Sequence, residues 1–499
     1  MKNDVTIIGG GVVGTAIARE LSRYNLSIAL VEREADIAFG GATKANTGII
    51  HAGYDDLPGT LKAELCVRGN ILWSKIAREL NVPFNRVGSL VLALKEEDVR
   101  TLLDLKDRGE KNSVPSLEII EDQEKLLSIE PNVNEKAVAA LSAPTAGITS
   151  PYEAAIALAE NARQNGVQVL LETEVEEIIL GREAVKGVQT DKGLIEAKCV
   201  INSAGLFSDE VSAMAGINHF SITPIRGEYF IFDKILSGFV KHVLFPVPTP
   251  ISKGIVVTHT VNGNLLIGPN ANSIDDKMDL ATTRCGLEEV FEGAIKLVPR
   301  LSSKRSMIIT NFSGLRAETS TGDFIIEAYD EPRGFVNVAG IKSPGLTSAP
   351  AIAERVTNIL IDIGFKLREK TSFNPHREPI HRSIDEIYSN SADGKGRLLA
   401  KDPKYGHIVC RCEHVSEGEV VEAIKRGATT IEGIKFRTRA GMGRCQGGFC
   451  KPRLIRILER ELDIKVKGVT ERGGLSVILP YEAKSLIKRE GGLDSSKRC

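Results

Sequence analysis

The stretch Val5-Thr6-Ile7-Ile8-Gly9-Gly10-Gly11-Val12-Val13-Gly14 decides the fold of the first part of this chain. Its β-branched half predicts a buried strand, and Gly9, Gly11 and Gly14 fit the pattern G-x-G-x-x-G. In that pattern the first glycine allows a tight turn and the second lets backbone approach a pyrophosphate. The third glycine lets the following helix pack on the strand. The phosphates would lie at the positive end of that helix.

A second predicted strand, residues 27–31 (SIALV), extends the motif and ends at Glu32, 23 residues after Gly9. A carboxylate at this place can accept hydrogen bonds from ribose hydroxyls. Strand, glycines, helix, strand and acid therefore occur in the order that predicts a dinucleotide site. This unit alone does not distinguish a flavin from a nicotinamide.

Four cysteines near the C-terminus form two tight pairs, with the spacings C-x-C (Cys410, Cys412) and C-x4-C (Cys445, Cys450). Sites made only of thiolates favour zinc or an iron–sulfur cluster. The combined spacing departs from the C-x2–4-C usual in structural zinc sites, and the glycines at 447 and 448 can offer N–H groups to cluster sulfurs. The pattern favours an electron-transfer centre, and zinc stays open as the alternative.

Four arginines surround these cysteines and would offset the net negative charge of a cluster: Arg411, Arg437, Arg439 and Arg444. Outside this region cysteine is sparse, which fits a reducing cytosol better than a disulfide framework. The N-terminal apolar run is broken by three glycines and predicts a strand and turn, not a secretory signal. We therefore expect a cytoplasmic protein, with any contact to the inner face of a membrane made through a partner.

Composition sets further bounds on the function. At 499 residues the chain should divide into two to four domains. With 64 basic and 65 acidic residues, no preference for nucleic acid follows. No apolar run approaches the ~18 residues that a spanning helix needs.

Two later segments indicate a flavin by resemblance. Residues 200–205 (VINSAG) look like the late nucleotide-domain strand of glutathione-reductase-like flavoproteins. Residues 340–347 (GIKSPGLT) resemble the final flavin-contacting turn of those proteins, which leads into a helix. The resemblance implies FAD as the cofactor.

The chain as a whole resembles the FAD-dependent glycerol-3-phosphate dehydrogenases, in particular the catalytic subunit of the anaerobic type, within the D-amino-acid-oxidase-like superfamily. Residues 44–53 (KANTGIIHAG) are similar to the flavin-proximal stretch of these enzymes and of the related L-2-hydroxyglutarate dehydrogenases. Residues 410–413 (CRCE) and 438–447 (TRAGMGRCQG) look like the bacterioferritin-associated-ferredoxin-like [2Fe–2S] module appended to the anaerobic enzymes. The resemblance implies that the four cysteines hold a [2Fe–2S] cluster.

The family architecture implies an α/β Rossmann FAD-binding lobe from residues 1–80, 145–215 and 335–365. A sheet-rich α+β substrate lobe would comprise 81–144 and 216–334, completing an oxidoreductase region over 1–365. A linker over 366–404, the [2Fe–2S] module over 405–460 and a tail over 461–499 would follow. The end of that tail, residues 490–498, has a composition expected to fray.

The resemblance also points to site residues. His51 lies in the flavin-proximal stretch, where it would either accept the proton of the substrate hydroxyl or hydrogen-bond the flavin or a neighbouring loop. Arg316 resembles the family's anion-binding arginine, and Lys342, in the flavin-contacting turn, would place a positive charge beside the flavin. Arg226 and His259 are weaker candidates for the pocket. The flavin-binding residues would be Gly9, Gly11, Gly14, Glu32, Arg33, Thr43, Lys44, Asn46, Thr47, Val175, Ala204, Gly205, Gly340, Ser343, Gly345, Leu346 and Thr347.

The expected reaction is the oxidation of sn-glycerol 3-phosphate to dihydroxyacetone phosphate. Electrons would pass through the [2Fe–2S] centre to a quinone or to a partner such as a second flavoprotein or a membrane-associated subunit. One alternative is a dehydrogenase of L-2-hydroxyglutarate or another hydroxy or amino acid, although Val256 falls where hydroxyglutarate enzymes carry a histidine. The other is an electron-transfer or scaffold subunit, which the polar residues His51, Arg316 and Lys342 argue against.

Overall fold

The computed structural model describes residues 1–249, 253–388 and 396–481. The chain forms two compact units, Met1–Pro379 and a second that begins at Ile380. Within the described residues, no helix is both long enough and apolar enough to cross a bilayer.

The first unit carries twenty strands and eight α-helices in its described part. The strands are β1 (Lys2–Ile8), β2 (Ile28–Val31), β3 (Ile49–Ile50), β4 (Phe84–Asn85), β5 (Ser89–Ala93), β6 (Glu118–Ile120), β7 (Ala139–Ala143), β8 (Gly147–Thr149), β9 (Gln168–Leu170), β10 (Val175–Leu180), β11 (Val185–Thr190), β12 (Gly193–Asn202), β13 (Ile222–Phe232), β14 (Val243–Pro246), β15 (Val256–His259), β16 (Leu265–Gly268), β17 (Asn272–Ser273), β18 (Ile308–Thr319), β19 (Ile325–Ala328) and β20 (Phe335–Ala339). The helices are α1 (Val12–Leu21), α2 (Leu61–Leu80), α3 (Val99–Lys111), α4 (Gln123–Ile129), α5 (Pro151–Gln164), α6 (Ser208–Met214), α7 (Arg284–Leu297) and α8 (Gly345–Asp362).

The predicted nucleotide motif forms the centre of an eight-stranded sheet. β1 lies between β12 and β2 and is parallel to both, and β9 extends the sheet beyond β2. β20 runs parallel to β12 and brings the end of the lobe back to the motif. Residues Val5–Ile8 of β1 and all of β2 are buried, as in a parallel sheet covered by helices, and α1 packs against α5 and α8. The predicted α/β fold class is confirmed.

A second sheet of nine strands completes the first unit. Its order is β17-β13-β16-β15-β14-β5-β7-β6, with β18 along the other side of β13. The long antiparallel β13–β18 pair registers Ile225 opposite Arg316. α7 covers this sheet with Val290 and Phe291, which are buried against Leu244 and Phe232. β19 does not follow the expected division into lobes. It lies in residues 216–334, the range predicted for the substrate lobe, but it pairs with β20 in the sheet of the nucleotide lobe.

The segment 366–404 is not a single extended connection. Asn374 and Pro375 lie on the first unit, where their carbonyls accept hydrogen bonds from Asn165 and Arg19. Arg377 forms an ion pair of 2.5 Å with Glu160. Polar side chains of α1 and α5 therefore hold a stretch whose composition resembles a linker.

The second unit is a small helical module with a two-stranded sheet. In its described part it contains α9 (Ser383–Tyr388), α10 (Arg397–Lys401), β21 (Ile408–Cys410), β22 (Val415–Ser416), α11 (Glu417–Lys425), α12 (Ile431–Thr438) and α13 (Lys451–Leu462). α11 begins with a capping box, in which Ser416 and Glu419 each bond the other's backbone N–H. Its core gathers Val420, Ile434 and Leu458, all fully buried.

The chain beyond α13 also belongs to this core. Val469 is fully buried, and Ile431 donates its backbone N–H to the carbonyl of Thr470. The part of the predicted tail that was expected to fray, residues 490–498, lies outside the described residues.

Candidate active site

Two of the three motif glycines at the turn between β1 and α1, Gly9 and Gly14, have no room for a side chain. Gly9 has φ +106°, and a Cβ there would lie 2.5 Å from the Ser203 carbonyl oxygen. A Cβ on Gly14 would lie 2.0 Å from the carbonyl oxygen of Gly9. Gly11 caps α1 without a side-chain bond, and only the Thr43 hydroxyl, 3.2 Å from its ideal Cβ, stands near it. The first turn of α1 therefore presents backbone N–H groups to a nearby anion.

Glu32 binds the protein backbone on both of its oxygens. Oε2 accepts the N–H of Gly10 at 2.6 Å, and Oε1 accepts the N–H of Glu34 at 2.9 Å. Burial raises the pKa of this carboxyl, and the two N–H groups act against that rise. Each oxygen keeps a further lone pair for a ligand hydroxyl. Glu32 thus fixes the glycine turn to the end of β2, a role that the sequence motif did not reveal.

A cavity of about 800 Å³ opens at the carboxyl ends of β1 and β2. His51, Arg316 and Lys342, the three predicted catalytic residues, line it. Most of the predicted flavin-binding residues line it as well: Gly9, Gly11, Glu32, Arg33, Thr43, Asn46, Thr47, Val175, Ala204, Gly205, Ser343, Gly345 and Leu346. Four others are not part of its wall: Gly14, Lys44, Gly340 and Thr347. Gly14 lies instead at the packing contact between α1 and β1, where only glycine fits.

The backbone of His51 is fixed by one residue of α8 and one of α2. Its N–H donates to the Thr347 hydroxyl at 2.9 Å, and its carbonyl accepts the Asn70 side-chain amide at 2.8 Å. Its ring Nε2 lies 3.3 Å from the Ser343 hydroxyl. Burial, reinforced by the positive charge of Lys253, lowers the pKa of His51 to about 3. The imidazole is therefore neutral at pH 7 and able to accept a proton.

Lys253 is a cavity residue that the sequence analysis missed. Its ammonium lies 2.6 Å from an Asp55 carboxylate oxygen and 3.9 Å from one of Asp56. Burial alone would lower the pKa of Lys253, but these two carboxylates raise it, so that the side chain is charged. A lysine in a loop carries no distinctive motif, and its partners are almost 200 residues away in the sequence.

Arg316 reaches the cavity from β18. One of its terminal nitrogens donates to the Asn270 carbonyl oxygen, and its Nε is buried without a hydrogen-bond partner among the described residues. Gly227 makes room for it, because a Cβ there would lie 2.9 Å from the guanidinium. Arg316 forms no ion pair within the described chain, so that its charge is available to an anion.

The other sequence candidates have different surroundings. Lys342 forms an ion pair with Glu318, and both line the cavity. Arg226 forms an ion pair of 2.8 Å with Asp279 and is not part of the cavity wall. His259 accepts the backbone N–H of Val240 at 3.1 Å and also lies outside the wall. Val256 does line the cavity.

The four cysteines of the second unit lie together as two pairs. The sulfurs of Cys412 and Cys445 are 3.6 Å apart. Cys410 accepts a hydrogen bond from Cys450, and this bond, helped by backbone N–H groups, lowers the pKa of Cys410 to about 6. The N–H of Phe449, with that of Gly447, lowers the pKa of Cys445.

The surroundings of the four sulfurs suit an iron–sulfur cluster. Among the described residues, no group of three or more His, Cys, Asp or Glu is gathered closely enough to hold one metal ion. Two thiolate pairs with backbone N–H groups directed at sulfur are the surroundings expected of an iron–sulfur cluster. Of the four arginines around the cysteines, Arg439 is buried in an ion pair of 2.8 Å with Glu413. Arg411 and Arg444 are exposed beside the ligands.

Comparison with known proteins gives two family matches. Residues 4–359 match the family model described as FAD dependent oxidoreductase. Residues 408–460 match the model described as BFD-like [2Fe-2S] binding domain.

Individual relatives agree with these matches. The chain is 47% identical over 487 residues to glycerol 3-phosphate dehydrogenase of Caloramator mitchellensis, covering 97% of this chain and 100% of the relative. It is 32% identical over 284 residues to human mitochondrial L-2-hydroxyglutarate dehydrogenase, covering 54% of this chain and 60% of the relative. Among solved structures, the dithionite-reduced L-α-glycerophosphate oxidase of Mycoplasma pneumoniae with FAD bound superposes with a TM-score of 0.71 at 32% identity, covering 76% of this chain and 98% of that one.

Proposed function

Because this chain belongs to the FAD-dependent oxidoreductase family and carries a BFD-like [2Fe–2S] domain, we propose that it oxidises sn-glycerol 3-phosphate to dihydroxyacetone phosphate. The near full-length relative with that activity supports glycerol 3-phosphate over the hydroxy-acid alternative, whose relative covers about half of the chain. The scaffold alternative would not need polar side chains gathered in one cavity.

The predicted cofactors, FAD and a [2Fe–2S] cluster, are confirmed by the two family matches. When bound, FAD supplies a hydride acceptor and the cluster supplies a carrier of single electrons. The glycine turn and Glu32 would hold the dinucleotide, since they leave a side-chain-free approach to the start of α1. Cys410, Cys412, Cys445 and Cys450 would ligate the cluster, and the iron–sulfur family match sets the zinc alternative aside.

The observation that carries the proposed reaction is a neutral histidine beside cationic side chains in one cavity. Arg316 has no carboxylate partner among the described residues, and its buried Nε has no hydrogen-bond partner there. A planar guanidinium in that state suits a phosphate, because it can offer two parallel N–H donors. Arg316 would therefore anchor the phosphate of the substrate.

Lys253 adds a second positive charge to the same cavity. Its charge is partly balanced by Asp55 and Asp56, which hold the ammonium in place. The cavity can thus attract a dianion with Arg316 and Lys253, and only one of these two cations lacks a carboxylate partner among the described residues in the absence of substrate. Lys342, balanced by Glu318, keeps a third positive charge at the wall beside the turn into α8.

His51 would accept the proton of the C2 hydroxyl. It is neutral at pH 7, and Ser343 and Thr347 hold its ring and backbone. A neutral imidazole within reach of the hydroxyl lowers the barrier to loss of hydride from the same carbon. The oxidation of one substrate molecule removes two electrons and two protons, and a separate partner or quinone takes up the electrons.

We also place the protein in the cytoplasm. The cysteines outside the cluster module are scattered, which supports a reducing compartment. Any contact with the membrane would be made through the electron-accepting partner.

The test is bleaching of the bound flavin under anaerobic conditions. Glycerol 3-phosphate, L-2-hydroxyglutarate and an amino acid are mixed separately with the holoenzyme, and flavin absorbance is followed. We expect rapid bleaching by glycerol 3-phosphate alone. Faster bleaching by the hydroxy acid would reverse the substrate assignment, and no bleaching by any of the three would favour a scaffold role.

A further inference from the structure

The cysteine pairs of the second unit differ in exposure. Cys410 and Cys450 are buried, at 2% and 1% of their full surface. Cys412 and Cys445 are half-exposed, and their sulfurs are 3.6 Å apart. A cluster held by these four ligands is therefore nearest to solvent at Cys412 and Cys445.

An aromatic side chain lies at that exposed edge. Phe449 keeps 81% of its surface in solvent, although it precedes the buried ligand Cys450. Its backbone N–H donates to the sulfur of Cys445, so that the residue is tied to the same edge. Phenylalanine exposed to this degree on an anchored loop has no role in the core of its own module. Aromatic anchors of this kind are common at the centres of protein interfaces.

The charges around this edge are positive. Residues 408–460 contain 11 Lys and Arg against 6 Asp and Glu, whereas the whole chain is nearly balanced. Arg411 precedes Cys412, Arg444 precedes Cys445, and both are exposed. Glu413, the acidic residue nearest in sequence to a ligand cysteine, is 2% exposed and forms an ion pair with Arg439. Over the described residues 407–453, no exposed carboxylate lies within three positions of a ligand cysteine.

We propose that this cluster-edge surface, formed by Arg411, Arg444 and Phe449 beside Cys412 and Cys445, docks a separate electron-accepting protein whose redox centre is ringed by Asp and Glu. The inference rests on the proposed function, which supplies the electrons. Each glycerol 3-phosphate gives up two electrons and two protons. Two acceptor molecules are each reduced by one electron, and the protons go to water.

An acidic protein suits this surface better than an anionic membrane does. Interfacial binding to lipid needs several apolar side chains on one face in addition to basic ones. Between Cys410 and Cys450 the one exposed large apolar residue is Phe449. The other exposed large apolar residues of the described part of this unit precede β21 or follow α13 in the chain: Leu399, Leu475, Val477, Leu479 and Tyr481. Opposite charges steer such a partner towards the edge and lose their effect as salt rises.

The experiment measures binding of the oxidised holoenzyme, without substrate, to two probe proteins. The first is the haem domain of cytochrome b5, which is acidic around its haem edge, and the second is cytochrome c, which is basic there. We expect binding of cytochrome b5 that weakens steeply with salt, and much weaker binding of cytochrome c.

Variants test which residues form the surface. Arg411→Gln should weaken binding of cytochrome b5 about three- to ten-fold at low salt, and Phe449→Ala at least about ten-fold. Lys465→Gln is the matched control, because it removes an exposed charge just beyond the end of α13, whose other end follows Cys450. The helix of 12 residues is about 18 Å long, and the control should change binding by less than about two-fold.

The visible spectrum of each variant verifies that the cluster is retained. If Phe449→Ala loses the cluster, the binding measured for Arg411→Gln alone decides between the outcomes. Equal affinities for Arg411→Gln and Lys465→Gln would overturn the proposal. Loss of binding to anionic vesicles, with cytochrome b5 binding unchanged, would assign the surface to a membrane instead. Flavin bleaching by substrate is scored separately, so that a failure of the proposed function is recognised independently of docking.

Discussion

The replacement Glu32→Gln tests how the dinucleotide site is built. The Glu32 carboxylate accepts the N–H of Gly10 at 2.6 Å and the N–H of Glu34 at 2.9 Å. Glutamine has the same shape, but only one of its two terminal atoms can accept. One charge-assisted bond would be lost, and an amide NH2 would face a backbone N–H.

The two backbone bonds are present with and without FAD, so the change in FAD affinity follows from the charge-assisted bond that Glu32 would accept from a ribose hydroxyl. A hydrogen bond to a charged group contributes about 1.5–3 kcal/mol, which corresponds to about 10- to 150-fold in a dissociation constant. The amide oxygen of glutamine can still accept a weaker, neutral hydrogen bond from that hydroxyl, so that we expect FAD to bind about 10- to 100-fold more weakly. Burial raises the pKa of Glu32, which shows that the buried charge is itself costly. The neutral glutamine removes that cost, and the stability of the flavin-free protein should change less than its FAD affinity.

The assay is titration of flavin-free protein with FAD, followed by the quenching of flavin fluorescence. Glu20→Gln is the matched control, because Glu20 is another carboxyl of the same unit whose pKa is raised by burial. It lies eight residues along α1 from Val12, about 12 Å from the turn, and pairs with Arg23. An FAD dissociation constant for Glu32→Gln within two-fold of that for Glu20→Gln would refute the reasoning.

Four further outcomes are expected. The imidazole NMR signal of His51 should stay at the position of the neutral ring from about pH 7.5 to about pH 5, because the pKa of His51 is lowered to about 3. The signal is assigned by its loss in His51→Asn, and a transition near pH 6.5 would contradict the site geometry. His51→Asn should retain FAD and slow its reduction by glycerol 3-phosphate about 10²- to 10⁴-fold in stopped-flow absorbance, and a normal rate would exclude His51 as the base. Arg316→Lys should raise the substrate concentration for half-maximal bleaching about ten-fold, since lysine cannot offer paired donors, whereas an unchanged value would place the phosphate elsewhere. Cys445→Ser should lose the cluster but keep single-turnover flavin bleaching within about two-fold while transfer to the partner fails, and loss of bleaching with FAD retained would show that the module shapes the flavin site.

The sequence by itself determined the parts that are built from neighbouring residues. The strand–glycine–helix motif lies within 32 residues, and its turn can be read from Gly9, Gly11 and Gly14. A Cβ at Gly9 or Gly14 would clash with a backbone oxygen. The cysteine pairs are also local, and their spacing already favoured a cluster. Backbone conformation and ligand spacing depend on short stretches of chain, so that a single sequence reveals them.

Only the tertiary structure decided which distant side chains meet. Lys253 and Asp55 are almost 200 residues apart, yet their ion pair lies beside His51. Burial and the Lys253 charge lower the pKa of that histidine, and the Asp55 charge acts against them. Glu32 turned out to hold the glycine turn, and Arg226, a candidate from sequence, pairs with Asp279 outside the cavity wall. Such contacts follow from the packing of two sheets and their helices, and no periodicity or motif in one sequence specifies which polar side chain will face which cavity.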